Sequence, residues 1–295
     1  MPEENSKLHF KSLNKLNQLP IRIYCDFESY KDTSKSHTSK NGNTNFDDAH
    51  KPASFMLVVV SDVPLPMVHK KINNRYIYNS LYIGEDAGDE YVRQIKELEV
   101  ILVEHLKTIR ETYRPFSNMI ITEKQKEEHK NISHCWICKN KFKGDKVKHH
   151  NHFTGLYHSS ICSKCNLQIK DDIKIPVFFH NLNYDKNLFF KSLYKYGHTN
   201  EINILPDNEE QYKCFNIGRL FFLDTFKFLT ASLETLIGNI PNDKKTYLKH
   251  LSGDNDEKFE YINKKGNFPY EWFDDLKKLD LDITEIKREY FNNKL

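Results

Sequence analysis

Residues 21–30 read IRIYCDFESY, and the reading of this stretch decides the rest. Apolar and polar residues alternate along it with the two-residue period of a half-buried strand. Asp26 and Glu28 therefore project from one face, where two carboxylates repel each other unless a cation lies between them. A D-x-E pair alone is more often a solvated strand face. A second stretch shifts that balance. Residues 175–190 read IPVFFHNLNYDKNLFF, an apolar strand that runs into a polar turn and sets Asp185 at the start of a helix. Acids on a strand and at a helix start are the material from which metal-dependent nucleases build their sites.

Composition bounds the answer without deciding it. The 295 residues, 38% hydrophobic and 13% aromatic, suffice for the core of one large domain or two ordinary ones. Lys plus Arg number 44 against 41 for Asp plus Glu, so a net charge of +3 does not announce a nucleic-acid partner, and local clustering must do so. No run of 18 apolar residues occurs, and the N-terminal stretch lacks the apolar centre of a signal peptide. A soluble intracellular protein, neither secreted nor membrane-bound, is expected.

Outward from the first stretch, residues 1–20 read as a polar lead-in closed by Pro20, and 31–50 as a mobile Ser/Thr/Asn/Lys loop. Residues 53–60, ASFMLVVV, suit the middle of a sheet. Residues 76–83 form a third strand with Tyr76, Tyr78, Ser80 and Tyr82 on one side. Apolar residues then recur at three- and four-residue steps from Tyr91 to Tyr113, which predicts a helix from about Asp86 that Pro115 stops. Three strands and then a long helix begin an α/β layer. Further strands are expected at 175–179, 202–205, 212–217 and 220–224. A helix after HNLNYD should turn Leu188, Phe189, Ser192 and Leu193 inward, and another should span about Ser232 to Ile237. Residues 242–266 read as charged and irregular, and the tail ends in a final helix.

Four of the six cysteines form two C-x2-C pairs, Cys135 with Cys138 and Cys162 with Cys165, separated by 23 residues. Cys25 and Cys214 sit singly in expected strands. Four thiolates at this spacing make a closed tetrahedral zinc site, so the ion is structural. His149, His150 and His152 lie between the pairs and are rival ligands, although using them would leave a cysteine pair idle. The same loop carries Lys139, Lys141, Lys143, Lys146 and Lys148 against Asp145 alone, which suits phosphate contacts or a solvated lysine face equally.

Three stretches together resemble the N-terminal 3′-5′ exonuclease region of protein-primed family B DNA polymerases, of the kind carried by Polinton or Maverick transposable elements and related viruses. YCDFES is similar to the first exonuclease motif, D-x-E, and FHNLNYD to the second, N-x2-[FY]-D. The resemblance implies that Asp26, Glu28 and Asp185 hold catalytic Mg2+ or Mn2+, that Asn181 and Tyr184 meet the DNA strand, and that Phe179 and Leu182 beside them are candidates to help grip a frayed single strand. SLETL is similar to the [ST]-L-x2-h motif, which implies that Ser232, Leu233 and Leu236 contact single-stranded DNA or a terminal priming protein. RLFFLDTFKFLTASLETL and KKGNFPYEWFDDL also resemble segments between the second and third motifs of the transposon-borne enzymes. About Ile21 to Phe273 is covered.

The implied fold is α/β: a ribonuclease H-like exonuclease sheet with flanking helices, carried by residues 21–121 and 173–240 and interrupted by a zinc module at 122–172. Residues 241–295 form an irregular or helical tail. The implied partner is a single-stranded DNA 3′ end, in the nucleus or at a viral replication site. Tyr270 and Asp274 have the form of the third motif, Y-x3-D, but FPYEWFDD resembles a segment upstream of it. Neither that motif nor a polymerase palm is expected before Leu295, which leaves the activity of this stretch open.

The zinc module resembles the phage endonuclease that resolves DNA junctions, endonuclease VII, with D-H-D-H between two C-x2-C pairs and Asn after the last Cys. In this chain the residues are His149, His150, Asn151 and His152, with Asn166 after Cys165. His149 stands where the resemblance requires a magnesium-binding carboxylate, and imidazole is a poor ligand for so hard a cation. His150 as a base and Asn166 as a ligand remain. The exonuclease therefore has two rivals: a catalytically silent zinc-bound DNA-binding remnant, and a nuclease built on the degenerate histidine module.

Overall fold

In the computed structural model of the protein, residues 19–32, 37–38, 45–46, 49–68, 71–170, 172–208, 212–253 and 255–291 are described. Nearly all of the expected lead-in and most of the 31–50 loop lie outside them. The chain divides into two compact units, a sheet unit of residues 21–100 with 175–295, and a unit containing 101–174.

Along the chain, β1 (Ile21–Asp32), the short pair β2 (His37–Thr38) and β3 (Asn45–Phe46), β4 (Ala49–Ser61), β5 (Lys71–Ile72) and β6 (Arg75–Ile83) precede α1 (Ala87–Tyr113). Next come α2 (Glu123–Asn131), β7 (Lys146–His150), β8 (Tyr157–Cys162) and α3 (Ser163–Gln168). The sheet resumes with β9 (Ile175–Phe179), α4 (Leu182–Lys195), β10 (Ile202–Pro206), β11 (Tyr212–Ile217) and β12 (Leu220–Asp224). Three short helices complete the series, α5 (Leu233–Gly238), α6 (Thr246–Ser252) and α7 (Asp256–Ile262).

Eight strands form one mixed sheet in the order β10-β11-β12-β9-β1-β4-β6-β5. β9 runs parallel to both β1 and β12, while the other neighbours pair antiparallel. Parallel neighbours end together, so the segments leaving β9 and β12 gather beside the middle of β1, the usual place for a ligand site in such sheets. Alternation along β1 buries Ile21, Ile23, Cys25 and Phe27 on one side. Phe27 stacks on Phe189 of α4 at 5.8 Å and meets Tyr91 of α1 edge-on at 5.0 Å, while Phe215 and Phe222 stack at 4.5 Å. These rings supply much of the core's apolar burial. A Cβ on Gly88 would stand 2.4 Å from the Leu188 carbonyl oxygen, so only glycine lets α1 and α4 approach this closely.

Most expected strands appear within a few residues of their predicted bounds. On β6 the tyrosine side is the half-buried one, and Leu81 and Ile83 face outward. Two expectations fail. Residues 242–266 hold α6 and α7: Gly253, in the left-handed region, ends the first, and the Asn255 side chain accepts from the Lys258 N–H to start the second. The Gly and Asn that read as a loop are caps. The tail forms short 3-10 turns in place of a final helix, with the Asp275 and Asp282 side chains accepting from the backbone N–H groups of Lys277 and Thr284 at their starts.

In the second unit, Thr122 and Gln125 form a reciprocal capping box that starts α2, and β7 and β8 make an antiparallel hairpin leading into α3. Its core is small, Cys135, Ile161 and Cys165 with a few half-buried apolar neighbours. Among the described residues no helix is long and apolar enough to cross a membrane.

Candidate functional site

The sheet unit brings Asp26, Glu28, His180, Asn181, Ser232 and Leu233 to one cavity of ≈ 1060 Å³. Asp26 and Glu28 project from the β1 face opposite Phe27, and the β1–β4 register slips immediately after Glu28, where Ser29 pairs with Pro52 and skips Ala53. Pro52 has no N–H to continue the ladder, so the chain kinks at the acidic pair. Ser232 caps α5, its hydroxyl accepting from the Thr235 N–H at 3.2 Å.

Asp185 sits in the first turn of α4 and is 5% exposed, and among the described residues no hydrogen bond reaches its carboxylate. Burial, then the charges of Asp26, Asp224 and Glu28, push its pKa up to about 8. Burial also raises Asp26, against a backbone hydrogen bond and the neighbouring His180, and raises Glu28 despite a hydrogen bond from Tyr270. The acids thus feel one another's charge, with Asp185 buried, Glu28 half-buried and Asp26 exposed on β1.

Asn181 is the hinge of this arrangement. It occupies the left-handed region at φ 87°, ψ 46°, which Asn tolerates better than most residues, and its N–H donates to Asp224 Oδ1 at 3.0 Å. Asp224, buried at the end of β12, also accepts from the Phe226 N–H at 2.9 Å. His180 fixes the facing loop, hydrogen bonding to Thr225 and to the Ala231 carbonyl. Asn181→Ala is expected to destabilise the protein by about 1–2 kcal/mol, through left-handed strain that Asn181→Gly avoids. Urea titrations of the three proteins check it; equal midpoints for Ala and Asn would contradict it.

The remaining candidates are held in different ways. Tyr184 shares its hydroxyl with Ser29 at 2.6 Å and His50 at 2.7 Å, so it is tied to β1 and β4. Phe179 and Leu182, attractive from sequence as grips for an unpaired base, are 1% and 4% exposed and belong to the core. Tyr270 reaches the site after all: its hydroxyl donates to Glu28 Oε2 at 3.1 Å. Asp274 instead pairs with Lys278 at 2.7 Å. Sequence reasoning missed Asp224 and His180. An acid closing the apolar run RLFFLD was the available signal for the first, and the second sits beside Asn181 in the motif itself.

In the second unit the Cys135, Cys138, Cys162 and Cys165 sulfurs lie within 4.8 Å of one another, with Cys138 and Cys162 at 3.9 Å. A tetrahedral zinc with bonds of about 2.3 Å requires sulfurs about 3.8 Å apart, so the set fits a structural zinc. Burial works against ionising Cys135, but N–H groups of Cys138, Cys162 and Ile137 outweigh it and bring the thiol down to about 7. Among the described residues no histidine joins this set, and the carboxylates of Asp26, Glu28 and Asp185 are not drawn together to the same degree.

His149 and Asn166 are hydrogen-bonded, and burial with the neighbouring His158 pushes His149 down to about 4. His150 Nε2 donates to the Tyr113 carbonyl at 2.9 Å, and its ring meets His152 at 4.8 Å. Of the loop lysines, Lys146 turns inward, donating to the carbonyls of His129, Lys130 and Ile132 at the end of α2. It is spent on structure and is removed from the phosphate-binding set. Comparison with protein families, with curated proteins and with solved structures finds no match for this chain.

Proposed function

We propose that this chain is the 3′-5′ exonuclease region of a protein-primed family B DNA polymerase, built on a ribonuclease H-like sheet. One observation carries the reading: Asp26 and Glu28 line a large cavity, and the buried Asp185, whose carboxylate accepts no hydrogen bond among the described residues, lies within reach of their charge. Support also comes from the central strands. A meander of β1, β4 and β6 is continued by β9 and β12 on the other side of β1, as an exonuclease sheet of this type requires. Ser232 and Leu233 line the same cavity, as expected if a single strand enters there.

Asp26, Glu28 and Asp185 would hold a divalent cation, which supplies an activated water and stabilises the leaving 3′ oxygen. The chain's own residues bind and orient. Tyr270 holds Glu28, Asp224 holds Asn181, and Phe226 and Phe268 offer cavity-lining rings for an unpaired base. The product is a mononucleotide released from a DNA 3′ end. A 5′-labelled single strand with Mg2+ or Mn2+ tests this: stepwise shortening is expected, lost in Asp26→Ala. No shortening, or shortening that survives Asp26→Ala, rejects it.

The endonuclease reading has one observation in its favour, the His150 ring, fixed by donation from Nε2 to the Tyr113 carbonyl. It predicts nicking of branched or duplex DNA abolished by His150→Ala.

A further inference from the structure

Lys245, the residue before α6, is 8% exposed, and its ammonium donates to the neutral Asn263 Oδ1 at 2.8 Å. Among the described residues no carboxylate pairs with it. A buried charge with no counter-ion is costly, and such groups persist where something of opposite sign completes them. Lys245 and Asn263 line the cavity that Asp26 and Glu28 line, and so do Lys264, Lys265 and Asn267. An ammonium has three protons to donate, of which Asn263 uses one. At ≈ 1060 Å³ the cavity is far larger than a bare anion needs and sits at the top of the range for small-molecule pockets, about 300–1,000 Å³.

We propose that Lys245, presented by Asn263, is the anchor for a phosphate group of the ligand that fills this cavity. Lysine suits this task as a point charge. Within one cavity the acids then serve the bond being broken, while Lys245 grips a phosphate elsewhere on the same ligand. That the ligand is a nucleic-acid strand rests on the exonuclease reading; the anion site itself does not.

The decisive substitution is Lys245→Gln, which keeps a donor to Asn263 and removes the charge. Binding of inorganic phosphate, thymidine 5′-monophosphate, thymidine and a short oligothymidylate is measured calorimetrically on the full chain without divalent metal. The phosphorylated ligands are expected to bind and thymidine is not. Lys245→Gln weakens that binding about tenfold or more, and Lys245→Arg retains it. Tighter binding of the oligothymidylate marks a strand as the natural ligand; equal binding marks a free nucleotide. Phosphate binding equal in Lys245→Gln and the parent, or thymidine binding as well as its monophosphate, overturns the anchor. Because no cation or turnover is involved, phosphate binding that depends on Lys245 in a protein without nuclease activity would leave the anchor standing and remove only the exonuclease reading. If Lys245→Gln does not fold, Asn263→Ala, which unfixes the ammonium, is expected to weaken the same binding, and unchanged binding there overturns the anchor equally.

Discussion

Asp185→Asn is expected to stabilise the metal-free protein at pH 8 and to abolish its stabilisation by Mn2+ or Mg2+. The Asp185 carboxyl, at about 8 when folded against an ordinary 3.8, keeps its proton in the native state between those values and loses it in the unfolded chain. The native state therefore binds more protons across this window, and the contribution of Asp185 to stability falls as pH rises from about 4 to 8. At about 1.4 kcal/mol per tenfold change in proton affinity, the effect is on the order of several kcal/mol. The groups acting on it are Asp26 and Glu28 on β1 and Asp224 on β12; Asp185 in turn acts on Cys25 and on Tyr91 of α1. A divalent cation among the acids reverses the sign, so the rise in melting temperature on adding Mn2+ should be larger at pH 8 than at pH 5. Equal pH profiles for Asp185→Asn and the parent, or no response to metal at either pH, would refute this account.

The second large effect concerns zinc. Removing it with a chelator, or replacing Cys165 by Ser, is expected to unfold residues 134–168, because the core there is small: Ile161 between the cysteines, a buried Phe153 and a few half-buried apolar neighbours. Structural zinc sites of this kind supply about 10–16 kcal/mol of binding free energy, more than so small a core can replace. Elemental analysis should find one zinc per chain, and hydrogen exchange after chelation should lose protection in β7, β8 and α3 while β1 and β9 keep theirs. Binding requires thiolates, so acid competes with zinc, and retention should weaken as pH falls. Protection of β7 and β8 that survives complete zinc removal would be incompatible with this view.

Much of the sheet unit was legible because its signals are local. The alternation in IRIYCDFESY, the unbroken run ASFMLVVV and the three- and four-residue steps of α1 each encode burial within one element, and two C-x2-C pairs encode a metal by spacing alone. The residues that escaped depend on tertiary placement. Asp224 looks like any acid after a strand until the parallel pairing of β12 with β9 sets it beside Asn181. Lys245 lies in a charged stretch where nothing local distinguishes a buried ammonium from its solvated neighbours. Phe179 and Leu182 were misjudged for the converse reason: flanking a polar motif, they read as surface grips, yet strand and helix periods turn both inward. The tail was misread because Asp275 and Asp282, which carry the signal of a helix start, begin only short 3-10 turns.

The link between Tyr270 and Glu28 joins residues 242 positions apart, which has a bearing on biosynthesis. The acidic strand leaves the ribosome early, while the wall bearing Lys245, Asn263 and Tyr270 emerges only near the end of this stretch. At about 5–20 residues per second the lag is roughly 10–50 s. Throughout it the nascent chain displays bare carboxylates with no opposing wall, so the cavity can close on a ligand only once translation has passed through this segment.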